Sequence, residues 1–388
     1  MSLWRAGGLA RRGNGKRRHQ EPRPLKNAET KKYDYIDALR GFAIMGVVLV
    51  HSSHWVAPSS ALFSKIAAQG SRGVQLFYIA SALTLFLSMA GRASSEERPI
   101  LGFFIRRFFR IAPAFYLAII VYTACDGLSS RYWAPDGIKW WFIPLTACFL
   151  NGWCPGTIKS VVPGGWSIAV EMTFYLLVPF LFARLKSIKA TVLALLISTI
   201  LANVASAAVI QFLSPRYADA QKYIVEYFAH LWFASQLPVF ILGIVLYHLI
   251  KRQRQGDKRG GALLLAASLL LLLALAVRTP ASFLANQLLH GVAFVSFALS
   301  LHRWPCVALV NRATVWIGRL SYSVYLVHFM VLRILKSVFA DGFGVTGNQG
   351  CVLAFLLVLG ASLGVSSLTY RFVETPGINL GKSIIRKL

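Results

Sequence analysis

Residues 36–51 read IDALRGFAIMGVVLVH, and this stretch decides the fold. Asp37 and Arg40 stand near its start, and ten uncharged residues separate Arg40 from His51. Eleven residues make almost three turns of α-helix, so Arg40 and His51 are predicted to share one face, roughly 16 Å apart along the axis. His54, three residues further on, shares that face. Ionisable groups on an apolar helix are costly in a bilayer, so this pattern predicts a membrane helix that faces a polar cavity.

The composition extends this interpretation to the whole chain. Of the 388 residues, 56% are hydrophobic and only 14% are charged. Apolar runs of about 17–23 residues recur along almost the whole length, as membrane helices require. The prediction is an all-α, polytopic membrane protein with about ten transmembrane helices. We expect them near residues 38–57, 72–90, 103–125, 164–184, 190–213, 230–250, 261–277, 282–301, 315–337 and 350–371.

The net charge of +27 is typical of some nucleic-acid-binding proteins, but its distribution is not. The charged residues lie in short segments between apolar runs, as the positive-inside rule describes, so no nucleic-acid partner is predicted. Dense Lys/Arg clusters follow the second, fourth and sixth predicted helices, and a weaker cluster follows the eighth. This distribution predicts that both termini are cytoplasmic.

The remaining segments define the predicted domain organisation. Residues 1–33 are expected to form a disordered, basic cytoplasmic tail that can touch anionic membrane lipid. Residues 34–380 form the transmembrane domain, and residues 381–388 form a basic cytoplasmic C-terminal tail. The tryptophan-rich segment 140–153 is too short to span and is expected to lie in the membrane interface. Three cysteines cluster near it, so a disulfide stays open as an alternative, and no Cys/His spacing predicts a metal site.

Three ionisable residues are predicted to reach a similar depth in the membrane. His51, Glu171 and His328 each lie about 13 residues from the cytoplasmic end of a predicted helix, which favours a functional cluster. A neutral histidine can take a proton from a hydroxyl that attacks a carbonyl, and a carboxylate can orient the ring. His51 is therefore the predicted base or transient acyl carrier, supported by Glu171. The structural alternative is that backbone carbonyls or hydroxyls satisfy each group separately.

A second constellation lies in the segment RRFFRIAP. Arg107 and Arg110 are three residues apart, on one helical face near the predicted cytoplasmic surface. Together with Arg40 they are predicted to bind phosphate groups from the cytoplasm. The open alternative is ordinary positive-inside charge. A cationic site with a base roughly 16 Å deeper suits a long, thin donor whose charged head stays in the cytoplasm.

Segments spread over residues 34–380 resemble, in order, the motifs of the acyltransferase-3 family of integral-membrane O-acyltransferases. The family motifs are an arginine and a histidine separated by ten residues, a characteristic second helix, R-x-x-R, W-S-x-x-x-E and two closing motifs. The matching segments are Asp37–His51, GVQLFYIASAL at 73–83, Arg107–Pro113, Trp166–Glu171 with Tyr175, Ser321–His328 and Glu374–Pro376. Two positions depart from the family pattern. The family often has an acidic residue at the position of Gln75 and often has glycine at the position of Ala82. These departures concern the packing of the second helix and the choice of acceptor.

The resemblance implies an enzyme of the bacterial inner membrane. It implies transfer of an acyl group, most commonly acetyl, from cytoplasmic acyl-CoA to a hydroxyl of a cell-envelope or exported glycan or glycolipid. His51 matches the family's catalytic histidine, and Arg107 and Arg110 match arginines implicated in acyl-CoA binding. With Arg40 in the donor site, the other residues expected to line the cavity are Asp37, His54, Trp166, Ser167, Tyr175, Tyr322 and His328.

Two other functions stay open from the sequence. The first is a glycan or lipid transporter or flippase that uses the same buried histidines and Glu171 as a proton relay. The second is a membrane scaffold in a polysaccharide synthesis complex, with no chemistry of its own. Broken helices and internal repeats would favour the transporter, and the sequence shows neither clearly. The oligomeric state is also open.

Overall fold

The computed structural model describes residues 26–92, 96–252, 255–278, 282–339 and 344–388. Residues 34–388 form one compact unit. Residues 1–25 of the predicted N-terminal tail lie outside the described residues, and the first helix begins at Lys26, within the predicted tail.

The described residues form fourteen α-helices. They are α1 (Lys26–Ser53), α2 (Ala61–Ala68), α3 (Gly73–Arg92), α4 (Pro99–Asp126), α5 (Phe142–Ala147), α6 (Gly165–Arg184), α7 (Ile188–Leu213), α8 (Lys222–Leu231), α9 (Phe233–Arg252), α10 (Lys258–Val277), α11 (Phe283–Arg303), α12 (Arg312–Val338), α13 (Gly347–Thr369) and α14 (Thr375–Arg386).

Ten of these helices are long and apolar enough to cross a membrane, which confirms the predicted all-α, multi-pass architecture. They are α1, α3, α4, α6, α7, α9, α10, α11, α12 and α13. The described part of the chain contains no β-strand, only an isolated bridge between Arg131 and Ala134. The most apolar stretch of the α3 span is 72% buried, whereas that of the α7 span is 11% buried. Helix α3 is therefore central, and α7 presents its apolar side chains outward, as a helix facing lipid does.

Four short helices were not predicted, because none of them coincides with an apolar run long enough to span a membrane. Helix α2 lies where a loop was expected, α5 lies in the tryptophan-rich segment, and α8 precedes the sixth spanning helix. Helix α14 covers the predicted end of the transmembrane domain, before residue 380, and most of the predicted C-terminal tail, 381–388. It packs against α4, since Gly377 and Gly381 lie against Pro113 and Phe109. A π-helical turn, Tyr370–Glu374, joins α13 to α14.

Helices α1 and α12 cross at very short range, and glycine makes this possible. A Cβ atom on Gly318 would overlap the backbone oxygen of Asp37, and one on Gly41 would lie 2.5 Å from the backbone oxygen of Thr314. Small residues at a crossing let two membrane helices approach closely. The crossing holds the helix that carries Arg40 and His51 against the helix that carries the tyrosines and the histidine of the fifth motif segment, Ser321–His328.

Candidate functional site

A polar cavity of about 80 Å³ lies between α1, α3, α4, α6 and α12, and we call it the arginine cavity. Three arginines and one carboxylate line it, which leaves an excess of two positive charges when all four are ionised. It contains seven of the residues singled out in the sequence: Arg40, Arg107, Arg110, Ser167, Glu171, Tyr175 and Tyr322. The structure therefore brings together the three predicted phosphate-binding arginines, although they come from two different helices.

Arg40 is held in place from two sides. One Nη atom lies 3.1 Å from the carboxylate of Asp37, and the other donates a hydrogen bond of 2.8 Å to the hydroxyl of Thr84 on α3. Asp37 also accepts a hydrogen bond of 3.4 Å from Arg319 on α12. Asp37, which was predicted to line the cavity, is not among its lining residues but contacts Arg40, which is. Its carboxylate faces the α1–α12 crossing and orients Arg40.

Two neighbouring arginines on α4 have different surroundings. Arg106 donates hydrogen bonds of 2.8 and 3.0 Å to the two carboxylate oxygens of Glu96. Partial burial alone would raise the pKa of Glu96, but the hydrogen bonds from Arg106 and Arg92 outweigh it and lower the pKa. Arg107 lines the arginine cavity and has no carboxylate within 4 Å in the described part of the chain. Arg107 is thus available to an anion, whereas Arg106 already has a partner.

Glu171 lies in the arginine cavity and not beside His51. Its carboxylate accepts hydrogen bonds from Ser81, at 2.5 Å, and from the hydroxyl of Tyr175, at 2.7 Å. The predicted support of His51 by Glu171 is therefore not seen, because the two residues line different cavities. The predicted depth of Glu171 is a residue count from the cytoplasmic end of its helix, and it holds only if the cytoplasmic ends of the helices lie at the same level in the membrane. The contact with Ser81, one turn from Thr84, places Glu171 near the level of Arg40 instead.

A second cavity, of about 290 Å³, is lined by His51, and we call it the histidine cavity. Its walls come from the last turns of α1, the middle of α12, helix α8, the first turns of α3, α6, α9 and α11, the turn that precedes α3 and the loop 127–164. Trp166 lines it as well, whereas His54 is exposed, with its ring 5.9 Å from that of His51. The ring of Phe329, which also lines this cavity, packs against His51 with 4.4 Å between the ring centroids.

His328 is fully buried and lies against His51, with 5.3 Å between the ring centroids. It was predicted to line the cavity near His51; in the structure it lies beside His51 but is not among the residues that line either cavity. Its Nδ1 lies 2.8 Å from the backbone oxygen of Tyr325. A carbonyl oxygen only accepts, so Nδ1 carries the hydrogen and Nε2 of the neutral ring is an acceptor. That buried Nε2 has no hydrogen-bond partner in the described part of the chain.

The two cavities are adjacent and share a wall. Val74 and Tyr325 line both of them. The hydroxyl of Tyr325 accepts a hydrogen bond of 2.8 Å from Ser167 and donates one of 3.1 Å to the backbone oxygen of Gly164. Gly164 has a left-handed φ of 78°, and its Cα lies so close to the Tyr325 ring that a side chain would crowd it. The predicted single groove from the arginines to His51 is thus divided by a tyrosine held at its hydroxyl.

Several residues of the histidine cavity were missed in the sequence. They are Ser71, Arg72, Gln75 as a lining residue, Lys159, Tyr227, Gln236, Phe283 and Phe329. They come from separate segments, and of these residues only Gln75 belongs to a motif segment, the one at 73–83. Two signals were available: Gln75 departs from the family pattern, and Lys159 is one of three basic residues in the loop 127–164.

Metal and disulfide chemistry receive no structural support in the described ranges. Among these residues no cluster of three or more His, Cys, Asp or Glu side chains is arranged to hold a metal ion. Each of the five cysteines is unpaired, so the disulfide alternative for the tryptophan-rich loop is not realised in this structure.

Comparison with known proteins identifies the family. The sequence model of the acyltransferase-3 family, described as an acyltransferase domain, matches residues 33–371. O-acetyltransferase OatA of Staphylococcus aureus is 23% identical over 389 residues, which cover 88% of this chain and 56% of the relative. Peptidoglycan O-acetyltransferase OatA of Listeria monocytogenes is 24% identical over 390 residues, 88% of this chain and 55% of the relative. The chain thus spans a little over half the length of these relatives, and no solved structure matches it. Since the family match covers nearly the whole chain, this protein belongs to the acyltransferase-3 family of acyltransferase domains.

Proposed function

We propose that the protein is an integral-membrane O-acyltransferase of the bacterial inner membrane, with both termini in the cytoplasm. It moves an acyl group, most commonly acetyl, from acyl-CoA to a hydroxyl of a cell-envelope glycan or glycolipid. The observation that carries the proposal is the pair of adjacent cavities. One holds three arginines around a small polar space, and the other holds a histidine with an open face.

The arginine cavity provides the donor site. Its excess positive charge favours the phosphates of a CoA ester, and arginine binds phosphate through two parallel hydrogen bonds. Arg107 has no carboxylate partner in the described chain, so a phosphate would not have to displace one.

His51 provides the base in this proposal. It accepts the proton of the acceptor hydroxyl while that oxygen attacks the thioester carbonyl. The new C–O bond forms, the C–S bond breaks, and the proton passes from His51 to the departing CoA sulfur. His328 is the positioning residue, because its Nε2 can accept a hydrogen bond from the nitrogen of His51 that does not face the cavity.

Transfer requires the donor's reactive end to pass the wall formed by Val74 and Tyr325. The hydroxyl of Tyr325 has only two hydrogen bonds to lose, and a side-chain rotation would join the two cavities. In the alternative chemistry, His51 first takes the acyl group itself and then passes it to the acceptor. Trapping of an acylated His51 with donor alone would distinguish this route from direct attack.

The proposed function is tested with the full chain in cells and in proteoliposomes. Mass spectrometry should find ester-linked acetyl groups on the envelope glycans of cells that contain the chain, and these groups should disappear when it is deleted. Proteoliposomes with the purified chain should transfer label from acetyl-CoA on one side to a glycan on the other. Unchanged glycan acetylation after deletion, or movement of glycan across the membrane without acylation, would contradict the proposal.

A further inference from the structure

The histidine cavity is positively charged and contains no compensating acid. Arg72 and Lys159 line it, and no Asp or Glu is among the described residues of its walls. The ammonium group of Lys159 lies 3.5 Å from the ring centroid of Trp133 and 5.2 Å from that of Tyr227. The guanidinium carbon of Arg72 lies 5.7 Å from the ring centroid of Phe283. Neither cation has a carboxylate within 4 Å in the described part of the chain.

The same walls carry features that suit a sugar. The side chain of Gln75 is buried, and its Oε1 has no hydrogen-bond partner among the described residues. An amide oxygen accepts hydrogen bonds, so this atom is suited to a hydroxyl donor. Trp166, Tyr227 and Phe283 add aromatic surface to the cavity, and its volume of about 290 Å³ is near that of small-ligand sites.

The charges also persist near neutral pH. Burial lowers the pKa of Lys159 to about 8, so most of its population remains protonated at pH 7. Arginine keeps its charge throughout this range. Two unpaired cations in a partly enclosed site are destabilised by burial, and a bound anion would compensate them.

We infer that the histidine cavity binds a carbohydrate that carries a negatively charged substituent, either a carboxylate or a phosphate. Arg72 and Lys159 bind the anionic group, and Gln75 accepts a hydrogen bond from a hydroxyl of the sugar while His51 faces the reacting hydroxyl. This inference rests on the proposed function, which it extends from acyl acceptors in general to acidic ones.

The test measures glycan binding without any acyl donor. The full chain in nanodiscs of neutral lipid is equilibrated with a glucuronic-acid oligosaccharide and with its carboxyl-reduced neutral counterpart. A neutral glucose oligosaccharide and its phosphorylated form give a second pair, which distinguishes carboxylate from phosphate. The acidic member of at least one pair should bind about tenfold or more tightly than its neutral partner, because a hydrogen bond to a charged group stabilises by that order. Rising salt should weaken only the acidic ligand.

Variants assign the preference to the two cations. Lys159→Gln and Arg72→Gln should each reduce the preference for the acidic glycan, while Lys159→Arg should retain it. Lys139→Gln is the matched control, since Lys139 is an exposed lysine of the same loop outside the cavity, and it should change nothing. If a glutamine variant fails to fold, the salt dependence of the wild-type protein still decides.

Specific outcomes would overturn the inference. Equal affinity for acidic and neutral glycans would do so, as would a preference that survives in the Lys159→Gln, Arg72→Gln double variant. Complete loss of glycan binding in nanodiscs of anionic lipid would also overturn it and assign the cations to a lipid headgroup. Failure of the proposed function would look different from failure of this inference. In that case the acidic glycan would bind more tightly than the neutral one but would receive no acyl group. Equal acylation of acidic and neutral glycans would leave the proposed function intact and refute the inference.

Discussion

Arg106 and Arg107 are adjacent in the chain, but substitution of Arg107 should weaken donor binding and the same substitution of Arg106 should not. Arg107→Met removes an unpaired guanidinium from the arginine cavity. A hydrogen bond to a charged group contributes about 1.5–3 kcal/mol, which corresponds to about a 10- to 150-fold rise in the Kd for acetyl-CoA. Arg107→Lys keeps the charge but loses the paired hydrogen bonds, so an intermediate loss is expected.

Arg106→Met is the matched control, because it removes the same charge one residue away. It breaks the ion pair with Glu96, in which both side chains are partly exposed. Such pairs contribute about 0–1 kcal/mol, so thermal stability should fall slightly while donor affinity stays within about twofold. Isothermal titration calorimetry with acetyl-CoA and thermal unfolding of the detergent-solubilised chain measure both quantities. Equal effects of the two substitutions on donor affinity would refute the assignment and favour a general electrostatic role for the basic segment.

Three further predictions follow from single contacts. Gly318→Ala should destabilise the fold by about 1–3 kcal/mol, since the added Cβ overlaps the backbone of Asp37, and an unchanged thermal unfolding midpoint would contradict this close crossing. Glu171→Gln removes the one carboxylate among the described residues of the arginine cavity, so acetyl-CoA should bind severalfold more tightly, and weaker binding in calorimetry would count against the charge balance described above. The affinity for an acidic glycan should fall as pH rises from 7 to 9, because Lys159, with a pKa lowered to about 8, loses its proton. Arg72 stays charged in this range, and histidine ordinarily titrates near 6.5, so His51 should add no further step. An affinity that does not change with pH in equilibrium binding would exclude Lys159 as an anion ligand.

The spanning helices were predictable from the sequence because a bilayer imposes a length and a polarity on each of them. Nine apolar runs match spanning helices to within a few residues, and the first helix extends further toward the N-terminus than its apolar run. The short helices were not predictable in this way. Helix α14 is recognisable only once α4 is in place, because its glycines fit against Phe109 and Pro113.

The site was predictable in part, and the limits have physical causes. The R-x-x-R motif selected Arg107 and Arg110, which line the arginine cavity, but it did not reveal that Arg106 pairs with Glu96, since this pairing depends on how the chain enters α4. The depth of Glu171 was misjudged because helix ends were assumed to lie at one level. The charge of the histidine cavity depends on Arg72 and Lys159, which are distant in sequence and meet only through tertiary packing.

Donor binding and acyl transfer by His51→Gln, measured in the same proteoliposome preparation, test the central claim most directly. If His51 is the base, acyl transfer to the glycan should fall by about 100-fold or more, the usual contribution of a general base. The Kd for acetyl-CoA should be unchanged, because the arginines bind the donor in the adjacent cavity. Full acyl transfer by His51→Gln would show that His51 is not the base, and a loss of donor binding equal to the loss of transfer would show that donor binding and base chemistry do not lie in separate cavities.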